Sequence, residues 1–246
     1  MPFDLNTFIG ARPWVYHLTS KDNFPTIRQQ RRLESASELI GKANLPELLR
    51  QRRPTHMSIR VPGVVVDTQL RDQAPLHAAN IAFEDGWQLP DFIEQLNKLV
   101  FFWPGSATGP SPYGRRHFAR YKSENPVLLR NSRTTDSLPA AKSAEFLILV
   151  VPPKAACALL RVSTRDLITD NSGVEPMFCR FNSGSPRYSK GRASPRGPGT
   201  FVSSDRFAGR PSEVVELTFP GSVRLPKRTE YGSTPDGPWI ELESVS

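Results

Sequence analysis

The sequence predicts a single mixed α+β domain spanning residues 1–246, and three observations lead there. Apolar segments of strand length, such as residues 14–18 and 145–151, recur between stretches with helical periodicity, the clearest at residues 90–99. A chain of 246 residues with 38% hydrophobic content is the size of one large domain with its own core. There is no internal repeat and no run of about 18 apolar residues, which sets aside solenoids and membrane-spanning bundles.

Residues 1–13 read as a lead-in that Pro13 ends, and residues 14–18 follow as a short buried strand with His17 near its C-terminal end. Ser20 or Asp22 can cap a helix that buries Phe24 and Ile27 and ends in Arg28, Arg31 and Arg32. A second helix is expected over 35–42 and a third from about Asn44, with Pro46 in its first turn. Residues 57–61 alternate as a strand, Pro62-Gly63 is a turn, and Val64 to Val66 begins another apolar run. The patch Arg71-Asp72-Gln73 has apolar flanks and suits a loop anchored by an internal salt bridge.

The helix over 90–99 places Phe92, Ile93, Leu96 and Leu99 on one face and carries Asp91 and Glu94 in its first turn. It runs into Val100-Phe101-Phe102-Trp103, where consecutive side chains face opposite ways, so one phenylalanine can pack the core while the other lines a cleft. Residues 105–125 interleave Arg115, Arg116, Arg120 and Lys122 with Tyr113, His117, Phe118 and Tyr121. That pattern suits either a single-stranded nucleic-acid surface or an amphipathic helix with its rings turned inward. Strands are expected over 127–129, 145–151, 158–162 and 177–181, with a capping box opening a short helix at Ser163. The small polar run Asn182-Ser183-Gly184-Ser185 is a plain turn or a backbone cradle for phosphate or ribose. Residues 213–219 alternate as an edge strand.

The net charge of +8 is concentrated: residues 180–210 hold seven Lys or Arg and one acid, Asp205. Such a stretch is a solvated basic loop or a polyanion-binding one. The two cysteines, Cys157 and Cys179, read as buried thiols, and with four scattered histidines they suggest no metal site. Phosphate-loop, dinucleotide, zinc-protease and nucleophile-elbow motifs are missing from the sequence. The start Met-Pro-Phe-Asp-Leu-Asn lacks the basic and apolar regions of a signal peptide, so a cytoplasmic protein without membrane contact is expected.

Three fragments in order, residues 14–33, 99–104 and 178–219, resemble the ADP-ribosyltransferase fold in its DarT-like branch of bacterial toxin and phage-defence enzymes. The closest match is Val15-Tyr16-His17-Leu18-Thr19-Ser20-Lys21-Asp22-Asn23-Phe24. The resemblance implies a split β-sheet core flanked by N-terminal helices and an NAD-dependent transferase that modifies DNA or RNA bases. It implies NAD contacts at His17, Thr19, Phe102, Asn182 and Ser183, catalysis by Glu213 with Glu216 in reserve, and a possible antitoxin partner. Acceptor contact would fall to Arg187, Lys190, Arg192 and Arg196. The arginine facing the NAD phosphates stays open among Arg31, Arg32, Arg53 and Arg71. A protein-directed transferase and a non-catalytic nucleic-acid-binding module are the alternatives.

Overall fold

The structure, a computed structural model, describes residues 3–121, 157–184 and 196–243. The expected strands at 127–129 and 145–151 lie outside these residues. Within them the chain forms six α-helices and an antiparallel sheet of eight strands, a mixed α/β architecture. No described helix is long and apolar enough to cross a membrane.

The lead-in contains a helix after all, α1 (Leu5–Ala11), because the Asp4 carboxylate accepts from the Asn6 and Thr7 amides while Phe8 and Ile9 bury one face. Strand β1 (Trp14–Ser20) follows, then α2 (Phe24–Gln30), β2 (Arg32–Glu34) and α3 (Ala36–Lys42), whose N-cap Ser35 accepts from Glu38 N–H at 3.3 Å. The expected third helix shortens to a single tight turn over Pro46–Leu49. A hairpin joins β3 (Met57–Ile59) to β4 (Thr68–Leu70). Val64 to Val66 form no strand; they lie in the connection of that hairpin, with Val65 93% exposed.

Helix α4 (Leu89–Asn97) starts where periodicity places it: the Asp91 carboxylate accepts from Gln88 N–H at 2.8 Å, and Phe92, Ile93 and Leu96 are buried. It feeds β5 (Leu99–Ser106), the short β6 (Gly109–Pro110) and α5 (Pro112–Tyr121). After β7 (Cys157–Ser163), α6 (Thr164–Asp170) opens on the expected Ser163 cap. Strands β8 (Met177–Cys179), β9 (Glu216–Pro220), β10 (Ser222–Arg224), β11 (Glu230–Gly232) and β12 (Ile240–Glu241) complete the order.

The main sheet runs β12-β11-β7-β1-β5-β9-β8, with β6 on β5. Its main apolar face packs Phe102, Leu160, Phe178, Leu217 and Phe219 against Phe8 and Phe24 from the N-terminal helices. Two central contacts differ in extent. β1 pairs with β7 along all seven residues, but with β5 only from Trp14↔Gly105 to Tyr16↔Trp103. Beyond that point β5 takes β9 as its partner, from Leu99↔Pro220 to Phe102↔Leu217. The sheet therefore parts between β1 and β5.

Candidate functional site

A cavity of about 970 Å³ opens at this parting. Its lining includes His17 and Thr19 of β1, Phe101 of β5, Asn182 and Ser183 beyond β8, and Glu216, the first residue of β9. Four of the five residues expected to hold a ligand thus meet in one space, and the fifth has its sequence neighbour there.

Glu216 is the chemical focus. It is 2% exposed, and Ser183 N–H donates to both carboxylate oxygens at 3.2 Å. Burial pushes its carboxyl up to about 7; the Ser183 hydrogen bonds and the charge of Arg196 pull the other way without prevailing. A carboxyl that titrates near neutrality inside a cavity suits proton transfer or stabilisation of a nearby positive charge.

His17 is fixed by its surroundings. The Phe101 carbonyl can only accept, so the 2.9 Å contact makes Nδ1 the protonated nitrogen and leaves Nε2 as an acceptor. Although partly accessible from the cavity, the ring is enclosed by protein, and burial pushes its pKa down to about 4. The same contact straps β1 to β5 just past the end of their ladder. Thr19 is 4% exposed and lies two residues further along β1.

Of the adjacent phenylalanines, Phe102 is the core residue: it is fully buried and packs edge-on to Phe219. Phe101 lines the cavity and rests on Phe201 with ring centroids 5.8 Å apart. Phe102, expected at a ligand, is therefore a core residue, and Phe101, on the other side of the same alternation, is the one that lines the cavity.

Glu213 is corrected too. Pro211–Glu213 is a tight turn, and the Glu213 carboxylate accepts from Arg210 N–H at 2.7 Å and faces Arg180 at 3.4 Å. It does not line the cavity. Pro211 cannot donate to a ladder and the turn consumes the glutamate, so the strand begins three residues later, at Glu216.

Arg196 is no surface cation. It is 1% exposed, stacks over Phe181 at 4.0 Å, and directs its guanidinium to the carbonyls of Asn182 and Ser183 at 3.4 Å. It holds the backbone that meets Glu216 and adds a positive charge behind it. Arg187, Lys190 and Arg192 lie outside the described residues.

The competing arginines separate. Arg31 donates to the carbonyls of Pro226, Lys227 and Leu242 and is structural. Arg32, Arg53 and Arg71 line the cavity. Arg53 is 5% exposed and is held by the Arg71 carbonyl at 2.9 Å and Asn97 Oδ1 at 3.0 Å. Its remaining terminal nitrogen is buried without a hydrogen-bond partner among the described residues. Burial pushes its pKa down to about 10, still cationic at neutral pH. In the Arg71-Asp72-Gln73 patch, Asp72 faces His56 at 3.2 Å and Arg120 at 3.1 Å, while Arg71 lies over Tyr121.

Trp103 and His117, unassigned by the sequence, also line the cavity, their rings 4.4 Å apart. The interleaved rings and cations of residues 105–125 marked His117 without deciding which way its helix faces. Nothing local marks Arg53, which sits in a polar, proline-flanked stretch.

A family model described as a family of unknown function (DUF7002) matches residues 13–134, just under half of the chain. The match takes in His17, Arg53, Phe101 and α5 but ends before Ser183 and Glu216. No curated protein and no solved structure matches the chain.

Proposed function

We propose that the protein is an NAD-dependent ADP-ribosyltransferase that modifies nucleic acid, with Glu216 as its catalytic carboxylate. The observation that carries this reading is the Glu216 carboxyl, buried in the lining of the cavity that His17 and Thr19 of β1 also line, where burial pushes its pKa up to about 7. His17 Nε2 accepts from a ribose hydroxyl of the nicotinamide-side sugar, and Phe101 offers a ring for the nicotinamide. Arg53, with its unused buried N–H groups, supplies positive charge for the pyrophosphate.

Cleavage of the bond between nicotinamide nitrogen and ribose C1′ leaves an oxocarbenium-like centre, and the electron pair departs with neutral nicotinamide. Ionised Glu216 stabilises that centre and takes the proton from the attacking base as its nitrogen or oxygen bonds to C1′. Ser183 N–H holds the carboxylate and Arg196 holds the backbone around Ser183, so the charge need not be organised during the reaction.

Nicotinamide release from NAD by the purified protein tests the proposal. Glu216→Gln should reduce turnover by on the order of a hundredfold or more with NAD affinity largely kept, while Glu213→Gln should be mild. A wild-type protein that neither binds nor cleaves NAD ends the transferase reading and leaves a binding module. Label transferred from NAD to protein instead of oligonucleotide redirects the acceptor.

A further inference from the structure

The α5 wall of the cavity has features that the proposed reaction does not use. Trp103 and His117 stack with centroids 4.4 Å apart, and Tyr121 continues the row 4.9 Å from His117. Trp103 is 6% exposed, yet its indole N–H has no hydrogen-bond partner among the described residues. An unsatisfied buried donor has a cost.

Charge converges on the same wall. Arg71, Arg116 and Arg120 line it, and Asp72 is the one acid in the lining there, already engaged by Arg120 at 3.1 Å and His56 at 3.2 Å. The wall therefore keeps an excess of positive charge beside a row of flat rings. Arg116 and Arg120 are exposed, on the outer turns of α5, whereas Trp103 and Tyr121 are buried below them. Base contacts would be deep and phosphate contacts shallow.

Position ties this wall to the chemistry. Phe102 pairs with Leu217, so Trp103 and Glu216 are the next residues in line on adjacent strands. Arg71 follows β4 and reaches this wall over Tyr121, whereas Arg53 precedes β3.

We propose that the Trp103, His117 and Tyr121 wall, with Arg116 and Arg120 at its rim, binds one nucleotide of a single-stranded acceptor and presents its base to Glu216. The proposal rests on the transferase reading for its meaning but not for its measurement. Rings stack on a base of any sequence, and the two guanidiniums take flanking phosphates.

Fluorescence anisotropy with a labelled single-stranded oligonucleotide, without NAD and over a range of salt, tests it. The Arg116→Gln/Arg120→Gln protein should bind at least about tenfold more weakly at 0.1 M salt. Two lost phosphate contacts to a single strand should lower the slope of log affinity against log salt by about 1.4. His117→Leu, which removes a neutral ring of the wall and no phosphate contact, should weaken binding with no change in slope. If the double variant destabilises the fold because Asp72 loses a partner, Arg116→Gln alone, with half the slope change, replaces it. Unchanged affinity and slope in the arginine variants overturn the proposal. Weakened NAD binding with intact oligonucleotide binding overturns it as well, by giving this wall to the dinucleotide. A wild-type protein that binds the oligonucleotide through these residues but never cleaves NAD would sink the transferase reading and leave this site standing.

Discussion

Replacing Glu216 by glutamine should make the protein more stable, and only above a certain pH. Folding raises the carboxyl's pKa from 4.5 to about 7, so between those values the folded protein keeps a proton that the unfolded chain releases. Stability held by that proton is complete below pH 4.5 and is lost as pH rises through 7. The difference of about 2.5 pKa units corresponds to about 3 kcal/mol at pH 8. Glutamine can accept from Ser183 N–H as the protonated acid does, but carries no charge to bury. The Glu216→Gln protein should therefore match the wild type near pH 4.5 and exceed it by about 3 kcal/mol at pH 8, or roughly 6–12 °C in Tm for a domain of this size. Urea denaturation of both proteins at the two pH values measures the gap, and the shared histidine titrations cancel. An equal gap at both pH values would mean that the carboxyl is not perturbed. A variant less stable at pH 8 would mean that the carboxylate and Arg196 stabilise each other, and the reasoning fails.

Other expectations follow from the same geometry. Nicotinamide release should rise with pH to a plateau, with an apparent midpoint near 7 set by Glu216; a profile flat from pH 5 to 9 excludes this carboxyl as the base. Phe102→Ala should cost about 3–5 kcal/mol in denaturant unfolding, whereas Phe101→Ala should mainly weaken NAD binding, and the reverse pattern would exchange their roles. Arg196→Met should cost about 3 kcal/mol at pH 8, less at pH 5, and should move the Glu216 midpoint upward; a pH-independent loss would reduce Arg196 to a packing residue. The imidazoles of His17 and His117, pushed down to about 4 and about 3, lend stability that is present above pH 6.5 and lost as pH falls towards those values. The unfolding free energy of His17→Gln/His117→Gln should accordingly fall less between pH 6.5 and 4.5 than that of the wild type, and parallel curves would refute the assignment.

What could be read from the sequence was what local chemistry fixes. Helix α4 has its Pro, its Asp91 cap and its apolar stripe within the twelve residues from Gln88 to Leu99, and β1 and β5 are marked by apolar runs. Alternation showed that one of Phe101 and Phe102 must turn away, but choosing between them needed the pairing of β5 with β9. Glu213 and Glu216 failed for a similar reason. A late strand does open on a glutamate, but on Glu216 and not on the expected Glu213, because where the strand starts depends on Pro211 and a side-chain cap, not on periodicity. Arg196 belongs by composition to a basic stretch; its burial depends on Phe181 and on carbonyls brought near by the fold.

The parting of β1 from β5 has a consequence for how this site can be studied. Residues 18–20 of β1 and 99–101 of β5 have a strand on one side only, so main-chain N–H and C=O groups on the other side border the cavity as two inner edges. A ligand held there by peptide groups is held by atoms that every side chain shares. Alanine scanning would be blind to such contacts, and sequences could drift at these positions while recognition persisted. Replacing single peptide N–H groups along those edges, by proline or by an ester linkage, is the perturbation that would reveal them.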